Sequence, residues 1–330
     1  MVFFGKIVAA VFAWGAYVVL RLAGWKRKTV MANAKHVAGA FSRKIPNAFS
    51  TASNASPASI AAPVNYDELL LNLTHHVGEL LFCFKTFKKL PRNFAAYPCR
   101  VDGWNFDIAE GSAPVLEKMR KGGIFLTAHY GNYEAMGPWL CRLGIPLVAS
   151  YIPVKPKWLN NILERKIRAV NGRSYSVDAR TPRDFLRILN DGKLFCLLAD
   201  QDSRIPSAID GMFLGRPANV NPLPDFLLKH RPQTPVFICW MEERLGAGAS
   251  SQECRKVRVL HAVEVERAQV PGAVHLVSPA QSNGASPAQS SSSIVNAQFN
   301  KWLEQRILEN PNLWYGFTHR RFFSREPSIY

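Results

Sequence analysis

Acidic residues are scarce in this chain. It carries 24 Asp and Glu against 41 Lys and Arg in 330 residues, a formal charge of +17, and its pI is near 9.8. Such a surplus points to a polyanionic partner, for which nucleic acid and anionic lipid both qualify. Paired cysteines are lacking as well. The six cysteines (Cys83, Cys99, Cys141, Cys196, Cys239 and Cys254) are scattered, with no C-x-x-C and no Cys/His spacing of the kind a zinc site needs. They read as free, mostly buried thiols in a reducing compartment, although sequence alone leaves disulfides open. Four catalytic signatures are also missing: a G-x-S-x-G elbow, a G-x-x-x-x-G-K-[ST] phosphate loop, an H-E-x-x-H helix and a dinucleotide fingerprint. What remains is 48% hydrophobic and 20% charged, enough apolar surface for one large α/β domain or two small ones.

One long apolar run is present, and it chooses between the two polyanions. Ile7 to Leu20 carries no charge and lies between Lys6 and a cluster of Arg21, Lys26, Arg27 and Lys28. Counted through Trp25, it approaches the roughly 17 to 20 residues of a spanning helix, and an interfacial helix fits it too. A cleaved signal peptide is the competing reading, but a small-residue cleavage site should then follow, and here cations follow. The positive-inside bias puts everything after residue 26 on the cytoplasmic side, against an anionic leaflet. Nucleic acid is disfavoured, because the basic residues are dispersed and the chain is held at a bilayer.

Residues 1–28 therefore read as anchor and basic stem, 29–64 as a basic, low-complexity linker and 65–330 as the main domain. Ser50 to Pro63 and Ser278 to Ser293 are dominated by Ser, Ala, Pro, Asn and Gln, and read as flexible surface segments. Tyr66 to Leu90 has apolar residues at helical spacing and stops before Pro91. From Gly122 onward short apolar runs (124–128, 146–151, 194–199, 235–241 and 256–263) alternate with amphipathic ones (134–143, 157–170, 182–190 and 222–229), and a last helix spans 294–308. Strand and helix in alternation predict a mixed, mostly parallel sheet flanked by helices, with room for antiparallel pairing in its last strands and with a site at the strands' carboxyl ends.

At the end of the first strong strand stands His129-Tyr130-Gly131-Asn132-Tyr133-Glu134. His followed by an acid at the fifth place is weak on its own, since His261 and Glu266 repeat it inside a presumed strand. Position is what separates the two. Gly131 lets the chain turn, Asn132 can cap the next helix, and the turn can return the Glu134 carboxylate to the imidazole. A neutral imidazole is the side chain best suited to deprotonate a hydroxyl near pH 7, and a carboxylate on its other nitrogen fixes the tautomer. A core histidine bonded to a local cap is the alternative. Direct acyl transfer needs no serine or cysteine nucleophile, which agrees with the missing elbow.

Ala128 to Gly137 (AHYGNYEAMG) resembles the H-x-x-x-x-[D/E] block of the late acyltransferases of lipid A biosynthesis, the lauroyl and myristoyl transferase family. That family also includes acyltransferases of phosphatidylinositol mannosides. Leu198 to Arg216 is similar to its second block, an acid and Gln after a strand followed by a phenylalanine-x-glycine turn, and Trp314 to Phe322 (WYGFTHRRF) to its closing W-x-W-x-H-R-R-W. The resemblance implies a glycerolipid-acyltransferase-like α/β fold with His129 as base and Glu134 as its partner. It puts Asp200 near this pair or against the acceptor, Arg168 near the donor or oxyanion, and a main-chain N–H of the Gly131–Asn132 turn beside the oxyanion. Arg216 is a phosphate contact or an exposed turn cation. His319, Arg320 and Arg321 suit a headgroup, while Trp314, Tyr315 and Phe317 are core or membrane-facing. The chain departs from the pattern in Tyr133, Tyr315 to Phe317 and Phe322, where the family has tryptophans, and in its acceptor-side loops.

The expected activity is transfer of an acyl chain from an acyl carrier protein or coenzyme A thioester to a hydroxyl of a phosphorylated glycolipid, such as a lipid A precursor in lipopolysaccharide biosynthesis. The expected location is the cytoplasmic face of the inner membrane, with no metal or resident cofactor. A lysophospholipid or glycerol-phosphate acyltransferase is the alternative enzyme, although Asp would then be expected at position 134. A catalytically degenerate lipid-binding module is the alternative from another class.

Overall fold

The computed structural model describes residues 2–41, 64–151, 153, 155–170, 172–245, 256–266 and 294–330. The Ser50 to Pro63 and Ser278 to Ser293 segments fall outside these residues. In chain order the elements are α1 (Val2–Leu22), α2 (Arg27–His36), α3 (Ala38–Phe41), α4 (Tyr66–Phe87), β1 (Cys99–Val101), β2 (Trp104–Ile108), α5 (Ser112–Met119), β3 (Gly123–Thr127), α6 (Tyr133–Arg142) and β4 (Leu147–Ser150). After these come α7 (Lys157–Ile162), β5 (Ala169–Val170), β6 (Arg173–Ser174), β7 (Ser176–Val177), α8 (Pro182–Asn190), β8 (Leu194–Leu198), β9 (Ile209–Phe213), β10 (Arg216–Val220), α9 (Leu223–His230), β11 (Val236–Leu245), β12 (Lys256–Glu264) and α10 (Ile294–Glu309).

The chain is an α/β protein whose eight-stranded sheet has the order β1-β2-β12-β11-β3-β8-β4-β7. Its pairings are parallel except for the β1–β2 and β11–β12 hairpins. The central strands are apolar runs without polar alternation because both sheet faces are covered. Successive side chains point to opposite faces. Ile124, Leu126, Phe195 and Ile238 join α8, α9, α10 and the C-terminal tail in one core. Phe125, Cys196, Phe237 and Cys239 meet α5 and α6 in the other. Burying each such side chain contributes about 1.5 to 3 kcal/mol.

Local chemistry sets the helix starts. Asn65 accepts from the N–H groups of Asp67 and Glu68 to start α4, and Thr181 with Asp184 forms a capping box on α8. Two segments differ from the sequence reading. Residues 29–41 are not linker: α2 and α3 are helical, and Val30, Asn33 and Val37 are buried against the tail. Their apolar stripe is too sparse to show in the sequence. The single helix expected over 157–170 is α7 followed by a π turn over Leu163–Ile167. That wider turn ends with the Arg168 N–H donating to the Leu163 carbonyl at 2.7 Å.

Candidate active site

Strands β3 and β8 are parallel neighbours with Thr127 opposite Leu198. The residues that follow them therefore leave the sheet side by side at its carboxyl edge, where open α/β sheets hold their ligands. His129 and Asp200 are those residues. The His129 Nδ1 lies 2.8 Å from Asp200 Oδ1, and the His129 main-chain N–H donates to Oδ2 at 3.0 Å. The Trp314 indole N–H donates to the same Oδ2 at 2.9 Å. The Asp200 side chain is 0% exposed and that of His129 17%.

These contacts fix the ionisation. Burial opposes the charged form of Asp200, but the His129 charge and hydrogen bond, the indole and the main-chain donor outweigh it and hold the carboxyl below its usual range. Burial also opposes the imidazolium, and the Asp200 charge and hydrogen bond, with a smaller contribution from Glu134, overcome it and raise the His129 pKa above 6.5. Since a carboxylate can only accept, Nδ1 carries the hydrogen in neutral His129 and Nε2 presents its lone pair to the groove.

Glu134 is not the partner that chain spacing suggested. Its carboxylate forms an ion pair with Arg168, Oε1 to Nη2 at 2.7 Å and Oε2 to Nε at 3.4 Å. Arg168 also approaches Glu164 at 3.7 Å and lies over the Tyr151 ring. A guanidinium fork matches a carboxylate better than an imidazole does, which explains why Glu134 turns to it. Arg168, buried by the π turn, thus reaches the site through Glu134. Its Nη1 has no hydrogen-bond partner among the described residues and belongs to a side chain that lines the groove.

The turn itself is gripped by the C-terminal tail. Gly131 has φ +58°, and a Cβ there would stand 2.9 Å from the Met241 carbonyl oxygen, so the sharp turn does require glycine. Its N–H donates to the Leu313 carbonyl at 2.9 Å, and the Tyr315 N–H donates to the His129 carbonyl at 2.8 Å, forming a bridge between Tyr130 and Trp314. The N–H groups of His129 and Gly131 are therefore engaged within the protein rather than left for an oxyanion. Asn132 does not cap α6 with its side chain. Its Nδ2 donates instead to Glu79 of α4 at 2.9 Å, and Glu79 takes Arg258 of β12 at 2.6 Å.

A groove of about 450 Å³ opens beside His129, within the roughly 300 to 1,000 Å³ common for small-molecule sites. Its wall is mostly apolar, from Phe125, Met136, Leu147, Ala149, Cys196 and Leu198, and Tyr133, Glu134, Arg168 and Gln201 are among its polar lining. Tyr133 meets the His129 ring edge-on with centroids 5.0 Å apart. Gly137 admits the Tyr175 hydroxyl, which would lie 2.2 Å from a Cβ at that position. Gln201 Nε2 is 3.4 Å from His129 Nε2, on the side to which that nitrogen's lone pair points. The sequence places Gln201 in the second block and Trp314 in the closing block, as a core or membrane-facing ring, and offers no signal for Tyr175; that the Trp314 indole reaches Asp200 is visible only in the structure.

The remaining candidates divide. The His319 ring lies 5.7 Å from that of His129, and burial together with the His129 charge lowers its pKa. Arg320 covers the rings of Phe323 and Tyr330 from the surface. Arg216 donates to the His36 carbonyl at 2.7 Å and so ties β10 to α2. Arg321 is 1% exposed; it donates to the Asn219 carbonyl and lies over Phe213, a structural cation. Trp314, Tyr315 and Phe317 are core. His261 stacks on Trp240 with centroids 4.6 Å apart and pairs with Glu242 at 2.9 Å, away from Glu266.

No protein-family model matches the chain, and no curated protein matches it. Judged on geometry alone, the arrangement can remove a proton at His129 Nε2, stabilise the resulting imidazolium through Asp200, and hold an apolar chain beside both.

Proposed function

We propose that this protein transfers a fatty acyl chain from an acyl thioester, on acyl carrier protein or coenzyme A, to a hydroxyl of a membrane glycolipid such as a lipid A precursor. His129 is the general base, Asp200 its orienting carboxylate, and the fold a glycerolipid-acyltransferase-like one at the cytoplasmic face of the inner membrane. The observation that carries this reading is the His129–Asp200 pair, bonded at 2.8 Å, with the His129 ring in the lining of a mostly apolar groove.

In the reaction, Nε2 takes the acceptor hydroxyl's proton as its oxygen attacks the thioester carbonyl. The C–O bond forms, the tetrahedral intermediate collapses with loss of the C–S bond, and the imidazolium returns the proton to the leaving thiolate. Asp200 stabilises the imidazolium between these steps without taking its proton. The Arg168–Glu134 pair supplies charge along the same wall, and the Gln201 amide meets the acceptor. The three ordered sequence blocks support the same reading.

His129→Ala tests it. Purified full-length protein, assayed with acyl thioester and lipid extract as acceptor, should lose acyl transfer by roughly two to four orders of magnitude. A variant keeping more than a few per cent of the rate removes His129 from the chemistry. Comparing the masses of host lipids with and without the gene names the acyl chain and acceptor together.

A further inference from the structure

Helix α1 is the apolar N-terminal helix, and only 11% of its Gly5–Leu22 window is buried, so it is no core helix. The buried part is one narrow face. Ala9 is 5% and Ala13 0% exposed, and both lie on α4, which runs antiparallel. A Cβ on Gly78 of α4 would stand 2.7 Å from the Ala9 carbonyl oxygen, and one on Gly5 would stand 3.3 Å from that of Phe82. Small residues thus bring the two backbones close along the first half of α1.

Both ends of α1 are fastened to the same domain. At one end the Lys6 ammonium lies 5.1 Å from the centroid of the Trp104 ring on β2. At the other, Arg21 pairs with Asp67 at 2.8 Å and the Tyr66 hydroxyl donates to the Trp25 carbonyl at 2.8 Å. The opposite face of α1 is bare: Val11, Trp14 and Val19 are each 66% exposed, Leu22 79% and Ile7 46%, and Phe82 of α4, at 41%, extends the ridge. Exposed Lys26, Arg27 and Lys28 follow at its end.

A spanning helix must set its ends on opposite sides of a hydrocarbon core about 30 Å thick. Here both ends hold one domain, and the helix alongside carries Asp67, Glu68, Asn72, His75 and Lys85, which a spanning α1 would draw into lipid. We propose that α1 and the outer edge of α4 form a monotopic docking surface whose partner is the anionic leaflet of a bilayer. The ridge sinks to the acyl boundary, parallel to the membrane plane, and the cations at its end meet the headgroups. The chain continues from Trp25 into α2, whose Asn33 donates to the Phe317 and His319 carbonyls beside His129. Docking therefore holds the tail that packs on His129 close behind the membrane-bound helix, a benefit that rests on the lipid-acceptor reading; the docking geometry does not.

The test uses the full chain with a protease-cleavable epitope at its N-terminus, in sealed membrane vesicles of both orientations. In-plane docking predicts that epitope and domain are always digested from the same side without detergent. It also predicts that V11E/W14E moves the protein to the soluble fraction with an unchanged thermal transition. Epitope and domain protected on opposite sides, wild-type protein already soluble, or a double variant that stays bound would each overturn the proposal. Running the same assay on His129→Ala keeps the two readings apart, since loss of acyl transfer should leave the topology untouched.

Discussion

Asp200 and Glu134 are the two carboxylates nearest His129, and they are held in opposite ways. Asp200, fully sealed, receives three donors at 2.8 to 3.0 Å, one of them the imidazole. Glu134 is 23% exposed and spends its oxygens on Arg168. Both act on the His129 charge, but only Asp200 does so through a hydrogen bond as well. A carboxylate without a free cation beside it is available to orient a histidine, whereas one already forked to a guanidinium contributes field rather than direction.

The largest effect that sharpens this contrast comes from Asp200→Asn. It loses the charge that stabilises imidazolium and admits the wrong tautomer, so kcat should fall by roughly 10³ to 10⁴. Without that charge the His129 pKa drops, and the acid limb of the pH–rate profile, which the Asp200 charge holds up in the parent, moves to lower pH. Glu134→Gln comes next. It keeps a hydrogen bond to Arg168 but leaves a mostly buried cation with only the Glu164 carboxylate, at 3.7 Å, to balance it, so stability should fall by about 1 to 3 kcal/mol in a denaturant titration. The rate should fall about tenfold or less, with a small downward shift of the same limb.

Trp314→Phe preserves the buried ring but removes one donor from Asp200. The cost expected for a hydrogen bond to a charged group is about 1.5 to 3 kcal/mol of stability, and the rate should fall severalfold. Its sign on the pH profile is opposite to the others: a carboxylate with fewer donors pulls harder on the imidazole proton, so the acid limb moves up. His261→Gln is the smallest change and serves as control, since that histidine stacks on Trp240; transfer should stay within about twofold.

Much of the sheet was legible because β3, β8 and β11 are continuous apolar runs, and His129 stood out by its strand-end position. Its partner did not. Chain spacing favoured Glu134, and nothing local reveals that Arg168, 34 residues away, claims that carboxylate. The register of β3 with β8 decides instead, a long-range fact. The indole of Trp314 reaches Asp200 across 114 residues and was equally hidden. Helix α2 escaped notice for a different reason: its buried side is completed by Asn33, held at Phe317 and His319 rather than by an apolar stripe.

The most direct test sets Asp200→Asn and Glu134→Gln side by side and follows kcat/KM for acyl transfer across pH. A loss of roughly 10³ or more with a downward-shifted acid limb for Asp200→Asn, and about tenfold or less with a nearly unmoved limb for Glu134→Gln, is the predicted result. The reverse order would contradict the assignment of Asp200 as the carboxylate that orients His129.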